Sequence, residues 1–205
     1  MAIRSEYRMQ VSPANSDVTK SRIVRQATVD QDCAVFQAGT RFQASPRQLV
    51  LRSPEFRMNY RNIEAKDLPE IIELRASTRE NQFSRDALGK MGITEDSIAK
   101  LLETTHRGWL CEEPGRILGF CIGNRRTGEL WVIAVLPDFE GKGIGSHLLA
   151  LVEGWLWSAG WAEIWLWTSS NPNTRALGFY HRHGWLIAET KDHVAYLKKK
   201  AHRVI

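Results

Sequence analysis

Three alternating glycines mark the part of the chain whose residue types and spacing best suit chemistry. Gly141, Gly143 and Gly145, with Lys142 among them, follow an apolar run over residues 130–136. Glycine carries no Cβ, so the amides of such a loop can approach an anion closely. The unpaired N–H groups of a following helix, together with its dipole, also favour negative charge there. The spacing therefore predicts a site for a phosphorylated ligand.

The sequence on either side of the glycines predicts the elements that hold them. Residues 130–136 are too few and too β-branched for a buried helix, so they predict an interior strand. Apolar residues then recur at helical spacing and predict a helix to about residue 159. The loop lacks the Lys-Ser/Thr pair of a P-loop and the G-x-G-x-x-G spacing of a dinucleotide-binding fold, so both classes are disfavoured.

A second pattern lies about thirty residues further on, in the stretch NTRALGFYHRHGW over residues 173–185. Asn173 or Thr174 can cap a helix there, and Gly184 can end it. Helical spacing places four side chains on one face of this helix: Ala176, Phe179, Tyr180 and His183. The pattern predicts a short amphipathic helix after the strand that follows the phosphate loop.

The two patterns together resemble the GNAT superfamily of acyl-CoA-dependent N-acetyltransferases, in its bacterial type. The family pattern is Q/R-x-x-G-x-G/A, followed by a helix of the form N-x-x-A-x-x-F-Y-x-x-x-G-F. The first is matched by residues 140–145, which read EGKGIG. The second is matched at Asn173, Ala176, Phe179, Tyr180 and Gly184, with Trp185 in place of Phe. The resemblance covers about residues 58–203.

The resemblance implies an α+β (mixed α/β) fold with a central, mostly antiparallel sheet and helices on both faces. Its fourth and fifth strands would be parallel and splayed at one end to admit the cofactor arm. The pattern of the chain fits this order. The predicted elements are a strand at 58–64, a helix near 67–80, a loop-helix segment to about 104, a three-strand meander at 108–136, a helix to about 159, a strand at 163–168, a helix at 174–183 and a hairpin across Asp192.

The resemblance also implies roles for individual residues. The strand backbone at Ile133, Ala134 and Val135 would pair with the pantetheine arm of acetyl-CoA, the acyl-donor co-substrate. Asn173 matches a position whose side chain contacts coenzyme A, and Tyr180 matches the general acid. The amides that would cradle the pyrophosphate are those of Gly141, Lys142, Gly143, Ile144, Gly145 and Ser146.

Thioester chemistry agrees with the role implied for Tyr180. Attack by an amine needs a polarised carbonyl, a neutral amine and a proton for the departing thiolate. A phenol of pKa ~10 can give that proton to a thiolate whose thiol has a pKa of ~8.5, but the transfer is uphill. Loss of Tyr180 should therefore lower the rate without abolishing the reaction.

Two departures from the family pattern concern charged groups. Glu140 stands where the family has Gln or Arg, so we expect weakened pyrophosphate binding, with Lys142 and Arg175 compensating the charge. Thr168 stands where some members carry a Glu base, and Thr is no base at neutral pH. The proton of the amine must then leave through water or another carboxylate. Glu80 and Asp86 are candidates, although solvated surface charge is the simpler interpretation of both.

The sequence therefore predicts an N-acetyltransferase that moves an acetyl group from acetyl-CoA to a primary amine by direct attack. The acceptor is open between a small-molecule amine and a protein amine. The alternative is a non-catalytic acyl-CoA-binding sensor or partner-binding domain, which Glu140 and the missing base favour. The tryptophans at 155, 157, 161, 165 and 167 are predicted to lie mostly in the core. Trp165 and Trp167 share one strand face, for which burial is preferred over contact with an acceptor or with the second subunit of a homodimer.

Charge and composition bear on the remaining partners. The 205 residues carry a formal charge of +5, but residues 1–57 hold nine Lys/Arg against five Asp/Glu, so residues 58–205 carry only +1. No nucleic-acid partner is expected. Residues 1–57 predict a poorly ordered N-terminal extension, with translation from Met58 as one explanation, ahead of an acetyltransferase domain over 58–205. No secretion signal or spanning segment is predicted, so no membrane partner is expected.

Cysteine and histidine use completes the predictions. The turn at Pro114-Gly115 predicts that Cys111 lies opposite Leu118, which would put Cys121 on the other face of the sheet. A disulfide between them is then implausible, which fits a cytoplasmic protein. His181 and His183 point in different directions from one helix, with His183 toward the core, and no metal site is predicted.

Overall fold

A single sheet organises the residues that the structure, a computed structural model, describes, namely 58–80 and 83–201. The predicted extension over residues 1–57 lies outside the described residues. The strands are β1 (Asn59–Asn62), β2 (His106–Glu113), β3 (Arg116–Asn124), β4 (Glu129–Val135), β5 (Glu163–Ser169), β6 (Leu186–Lys191) and β7 (Val194–Lys200). The α-helices are α1 (Leu68–Ala76), α2 (Arg85–Lys90), α3 (Glu95–Thr104), α4 (Ile144–Ser158) and α5 (Arg175–Arg182).

The strand order is β1-β2-β3-β4-β5-β7-β6, and every neighbouring pair is antiparallel except β4 and β5. This mixed α+β arrangement confirms the predicted fold class. Within the described strands, β4 and β5 pair only where Glu129 faces Trp165. The backbone N–H of Trp165 also donates to the Gly128 carbonyl at 3.1 Å, and this hydrogen bond holds the two strands together at this end. Beyond it the two strands part.

Both faces of the central strands are covered. Every residue of β3 after Arg116 is buried, which requires packing on each side of the sheet. On one face, Gly123 lies against Val152 of α4, where a Cβ on the glycine would come within 2.6 Å of the valine side chain. On the other face, Gly108 lies against Ile63, just before α1. We call these faces the α4 face and the α1 face.

A buried polar network joins the two halves of the sheet through α4. Glu153 is buried in that helix, and its carboxylate accepts hydrogen bonds from Trp185 Nε1 at 2.7 Å and from Lys199 Nζ at 2.6 Å. Trp185 is fully buried, so the residue that replaces the family's Phe has a polar role as well as an apolar one. Both carboxylate oxygens of Glu153 and the indole N–H of Trp185 thereby have a hydrogen-bond partner, as burial requires.

The register of β2 and β3 corrects the prediction for the cysteines. Leu118 is an extra residue between two pairs, so Cys111 lies opposite Gly119. Cys121 is two residues from Gly119 and shares its side of the sheet. The two cysteines therefore face the same side, although both remain buried free thiols.

The tryptophans are less buried than predicted. All five of those assigned to the core (Trp155, Trp157, Trp161, Trp165 and Trp167) are only half-buried. The first three pack against the core from α4 and the segment after it. Trp165 and Trp167 alternate with the buried residues of β5 and so lie on the face turned away from α4. Among the described residues, none of the helices has the length and apolarity needed to cross a membrane.

Candidate active site

The glycine loop has the geometry expected of an anion site. Gly141 and Gly143 both adopt left-handed backbone, with φ of +75° and +84°. Gly143 is the N-cap of α4, and no described atom lies within 4 Å of the place where a Cβ would stand on either glycine. The amides at the start of α4 thus border open space. Ile144 is 1% exposed, so its side chain belongs to the core and only its N–H faces this loop.

The second motif packs directly on the first. His183, after the last turn of α5, has its Nε2 2.9 Å from Ser146 Oγ and its Nδ1 2.8 Å from the Phe179 carbonyl. A carbonyl only accepts, so Nδ1 carries the proton, and in the neutral ring the Ser146 hydroxyl donates to Nε2. The Phe179 ring also lies in contact range of Gly145. The two motifs, which are separated in sequence, therefore pack against each other in the folded chain.

The charge of Glu140 is balanced within the structure. Its carboxylate forms ion pairs with Arg175 and, at 3.6 Å, with Arg79. Compensation by Arg175 agrees with the prediction, whereas Lys142 lies over the ring of Phe139, its Nζ 4.4 Å from the ring centroid. The departure from the family pattern therefore leaves two arginines beside the loop.

Helix α5 is capped by a residue far away in sequence. Both carboxylate oxygens of Glu80 accept the Arg175 N–H, at 2.9 and 3.0 Å. The predicted caps do not act: Thr174 is the N-cap residue but makes no side-chain cap bond, and the Asn173 N–H donates to Asn171 Oδ1 at 3.0 Å. Glu80 thus has a structural partner, which corrects its interpretation as a solvated charge, while Asp86 is exposed on α2.

The predicted pantetheine residues lie on β4 beside the gap. Ile133, Ala134 and Val135 pair on one side with β3, opposite Cys121, Phe120 and Gly119 respectively. On the other side β5 has separated, so a crevice between β4 and β5 opens toward the glycine loop that follows β4. Asn173 is exposed in the turn before α5.

Tyr180 lies on the buried face of α5, 7% exposed. Burial raises the pKa of its phenol, Cys121 raises the pKa further, and Arg75 of α1 opposes the rise. Cys121 is the β3 partner of Ile133, and Arg75 belongs to the other face of the sheet. Tyr180 is thus within electrostatic reach of residues on both faces of the sheet, Cys121 of β3 and Arg75 of α1.

Comparison with known proteins identifies the family. The sequence profile of the Acetyltransferase (GNAT) family matches residues 68–185. The chain belongs to the GNAT acetyltransferase family. The predicted recognition, and with it the assignment as an acyltransferase, is confirmed. No curated protein sequence is significantly similar to the chain.

Solved structures share the fold of this GNAT chain at low identity. One is the PaiA N-acetyltransferase of Thermoplasma acidophilum in complex with coenzyme A, with 18% identity, a TM-score of 0.63, and 71% of this chain and 99% of that one covered. Another is the ribosomal-protein-S18-alanine N-acetyltransferase of Escherichia coli, with 20% identity, a TM-score of 0.56, and coverage of 73% and 99%. YncA of Salmonella typhimurium, with its cofactor acetyl-CoA, has 17% identity, a TM-score of 0.54, and coverage of 70% and 94%.

The structure of this GNAT chain also draws attention to a carboxylate that the sequence analysis missed. Glu129 begins β4 and is half-buried at the one pair that joins β4 to β5. Burial raises the pKa of its carboxyl to about 7, and a hydrogen bond from the Trp167 side chain opposes the rise. The signal in the sequence was a single acid at the head of an apolar strand, which looks like an ordinary strand end.

Metal chemistry finds no support among the described residues. They hold no group of three or more His, Cys, Asp or Glu side chains placed to bind a metal ion. His181 is exposed and His183 is half-buried against Ser146, so the two do not converge.

Proposed function

We propose that this GNAT chain transfers an acetyl group from acetyl-CoA to a primary amine by direct attack. The observation that carries the proposal is the single β4–β5 pair at Glu129 and Trp165, beyond which the strands part. The resulting crevice runs from that pair to the glycine loop, so one extended ligand can reach both. PaiA holds coenzyme A and YncA holds acetyl-CoA, which supports the same donor here.

The loop residues fit the diphosphate of that donor. Left-handed Gly141 and Gly143 leave the adjacent amides open, and α4 begins immediately after them. Lys142 and the Ser146 N–H lie in the same segment, and Ile144 and Gly145 contribute backbone only. Arg79 and Arg175 add positive charge beside the loop while they balance Glu140. We assign Ile133, Ala134 and Val135 to the pantetheine arm and Asn173 to the outer part of coenzyme A.

Two side chains with different proton affinities can manage the proton transfers. A new C–N bond forms as the C–S bond of the thioester breaks; the amine loses a proton and the thiolate gains one. Glu129, with a pKa of about 7, takes the proton of the amine, and Tyr180, whose pKa is raised by burial, gives one to the thiolate. Backbone N–H groups of β4 that face the crevice can polarise the carbonyl.

The acceptor is an amine of a small molecule or of a protein. The Escherichia coli relative is named for the alanine of ribosomal protein S18, which is a precedent for a protein amine. The alternative function, a non-catalytic acyl-CoA sensor, was favoured by Glu140 and by the lack of a base. The ion pairs of Glu140 and the proposed role of Glu129 as the base weaken both reasons. A cytoplasmic location and a possible homodimer stay predictions.

Release of free thiol from acetyl-CoA tests the proposal. With a broad panel of amines, thiol should appear only when a suitable amine is present, and Tyr180→Phe should slow it. Tyr60→Phe is the matched control, because Tyr60 is a half-buried tyrosine of β1 beside His147, away from the crevice. Acetyl-CoA binding without thiol release for any amine would favour the sensor and reject the enzyme.

A further inference from the structure

In the part of the chain that the structure describes, the half-buried carboxylate of Glu129 differs in its charge partners from the buried acids Asp67 and Glu153. Among the described residues, no Lys, Arg or His nitrogen lies within 4.0 Å of it. The Trp167 side chain lies near enough to lower the pKa of this carboxyl as a hydrogen-bond donor. By contrast, the buried acids Asp67 and Glu153 pair with Arg61 and Lys199. A half-buried carboxylate with spare acceptor positions and no cation suits a ligand that brings the cation.

Aromatic side chains stand on both sides of this carboxylate. Trp167 lies two residues beyond Trp165 on β5 and directly opposite Tyr196 of β7, which is 37% exposed. Ile164 pairs with Lys199, and the Lys199 amine reaches Glu153 of α4, so Ile164 lies on the α4 face. Side chains alternate along a strand, so Trp167 and its partner Tyr196 lie on the α1 face.

Trp131 supplies the opposite wall from β4. Its ring makes an edge contact with His106, with 5.1 Å between the ring centroids. Trp109, which lies on the other face of β2, contacts Trp155 of α4, so His106 and Trp131 belong to the α1 face. Trp131 is two residues from Glu129 and is half-buried. It therefore stands across the parting strands from Trp167.

These four residues (Glu129, Trp131, Trp167 and Tyr196) form what we call the aromatic cleft. From their placement we propose that the aromatic cleft binds the amine acceptor as a cation, and that the acceptors are primary ammonium groups carried on apolar alkyl or aryl chains. The inference rests on the proposed acyl transfer, whose acceptor class it names. Indole and phenol rings attract an ammonium through their faces, and a carboxylate at the end of the cleft pairs with it. The N–H proton of the ammonium then passes to Glu129, which leaves the neutral amine beside the crevice.

A binding experiment on the full chain tests the cleft without turnover. The cationic probes are 2-phenylethylamine and n-butylamine, and their neutral counterparts are 2-phenylethanol and n-butanol, titrated by calorimetry with and without saturating coenzyme A. We expect the amines to bind on the order of tenfold more tightly than the alcohols. Trp167→Leu and Glu129→Gln should weaken the amines by about 5- to 20-fold.

Matched controls lie outside the four residues of the aromatic cleft, one on α4 and one at the start of β5. Trp155→Leu removes a half-buried tryptophan of α4, and Glu163→Gln removes an acid of β5 that is paired with Lys198. Neither should change amine affinity. The proposal that the aromatic cleft binds the amine as a cation would be overturned by any of three results: equal binding of amines and alcohols, no amine binding at all, or unchanged amine affinity in Glu129→Gln. A second copy of the chain covering this face would appear as absent amine binding and a sedimentation coefficient that Trp167→Leu lowers, and this too would overturn it.

Thiol release separates this inference from the proposed function. If the amines bind as expected but none releases thiol from acetyl-CoA, the proposed transfer is wrong while the cleft stands. If thiol is released but Trp167→Leu leaves the KM for the amine unchanged, the transfer stands and the cleft is wrong.

Discussion

Replacement of Glu129 by Gln should stabilise the protein at alkaline pH while it removes the proposed base. Burial raises the pKa of this carboxyl to about 7 in the folded protein, from 4.5 as its ordinary value. Above pH 7 the folded protein must hold a charged carboxylate in a half-buried place, whereas the unfolded chain ionises it in water. Unfolding therefore releases a proton between these two pKa values, and the carboxyl makes the free energy of unfolding fall as pH rises through that window. Gln does not titrate and escapes this loss.

The size of the effect follows from the two pKa values. One pKa unit corresponds to about 1.4 kcal/mol, so the loss complete above pH 7 has a ceiling of about 3 kcal/mol. Part of this loss of unfolding free energy has already occurred by pH 5. Solvent also reaches the half-buried carboxyl, which reduces the effect further. We therefore expect the difference in unfolding free energy between Glu129→Gln and the natural chain to grow by about 2 kcal/mol from pH 5 to pH 8.

Urea titrations of the full chain at the two pH values measure this difference. Because only its change with pH is compared, a constant effect of the amide on packing cancels. Glu163→Gln is the control: the pKa of Glu163 is lowered by Lys198, so its carboxylate is charged throughout this range and the difference should stay flat. If the Glu129→Gln difference were also flat, or shrank toward pH 8, the carboxyl would not be held in its neutral form by burial. Glu129 would then not be a base with a pKa of about 7.

Three further substitutions and one pH profile test other parts of the structure. Gly143→Ala, at φ +84°, should lower the unfolding free energy by about 1–2 kcal/mol and should weaken acetyl-CoA binding in calorimetry. The control is Gly154→Ala at an exposed position within α4, which should neither lower the unfolding free energy nor weaken binding. Trp185→Phe leaves Glu153 without its indole donor and should cost about 2 kcal/mol in urea; an unchanged midpoint would contradict this. Gly128→Ala places a Cβ 2.7 Å from the Trp161 ring at φ +72° and should lower the melting temperature. The value of kcat/KM should rise with pH through about 7, and a profile flat from pH 6 to 8 would exclude Glu129 as the base.

Features encoded by neighbouring residues were predictable from the sequence. The alternating glycines fixed the loop before α4, because left-handed backbone is cheap for glycine and the helix pattern starts directly after it. The family, the mostly antiparallel sheet and the parallel β4–β5 pair were confirmed. Helix boundaries agreed to within a few residues, since the periodicity of apolar side chains is a local property.

Features that depend on distant residues were not predictable. The extra residue Leu118 changed the register of β2 and β3, and with it the side on which Cys121 lies. The α5 cap comes from Glu80, which is 95 residues away along the chain from the amide it binds. Neither a bulge nor a long-range cap leaves a periodic trace in the sequence.

The chemical roles divide in the same way. Local spacing within each of two motifs predicted the glycine loop, the helix that carries Tyr180 and the membership in the GNAT family, because the residues of each motif lie only a few positions apart. The tertiary structure alone decided that Glu129 lies half-buried where two strands part, near Trp167 and, among the described residues, with no ion-pair partner. A carboxyl acquires a pKa of about 7 when burial excludes water from it, and β4 and β5, which meet at Glu129, come together only in the folded chain.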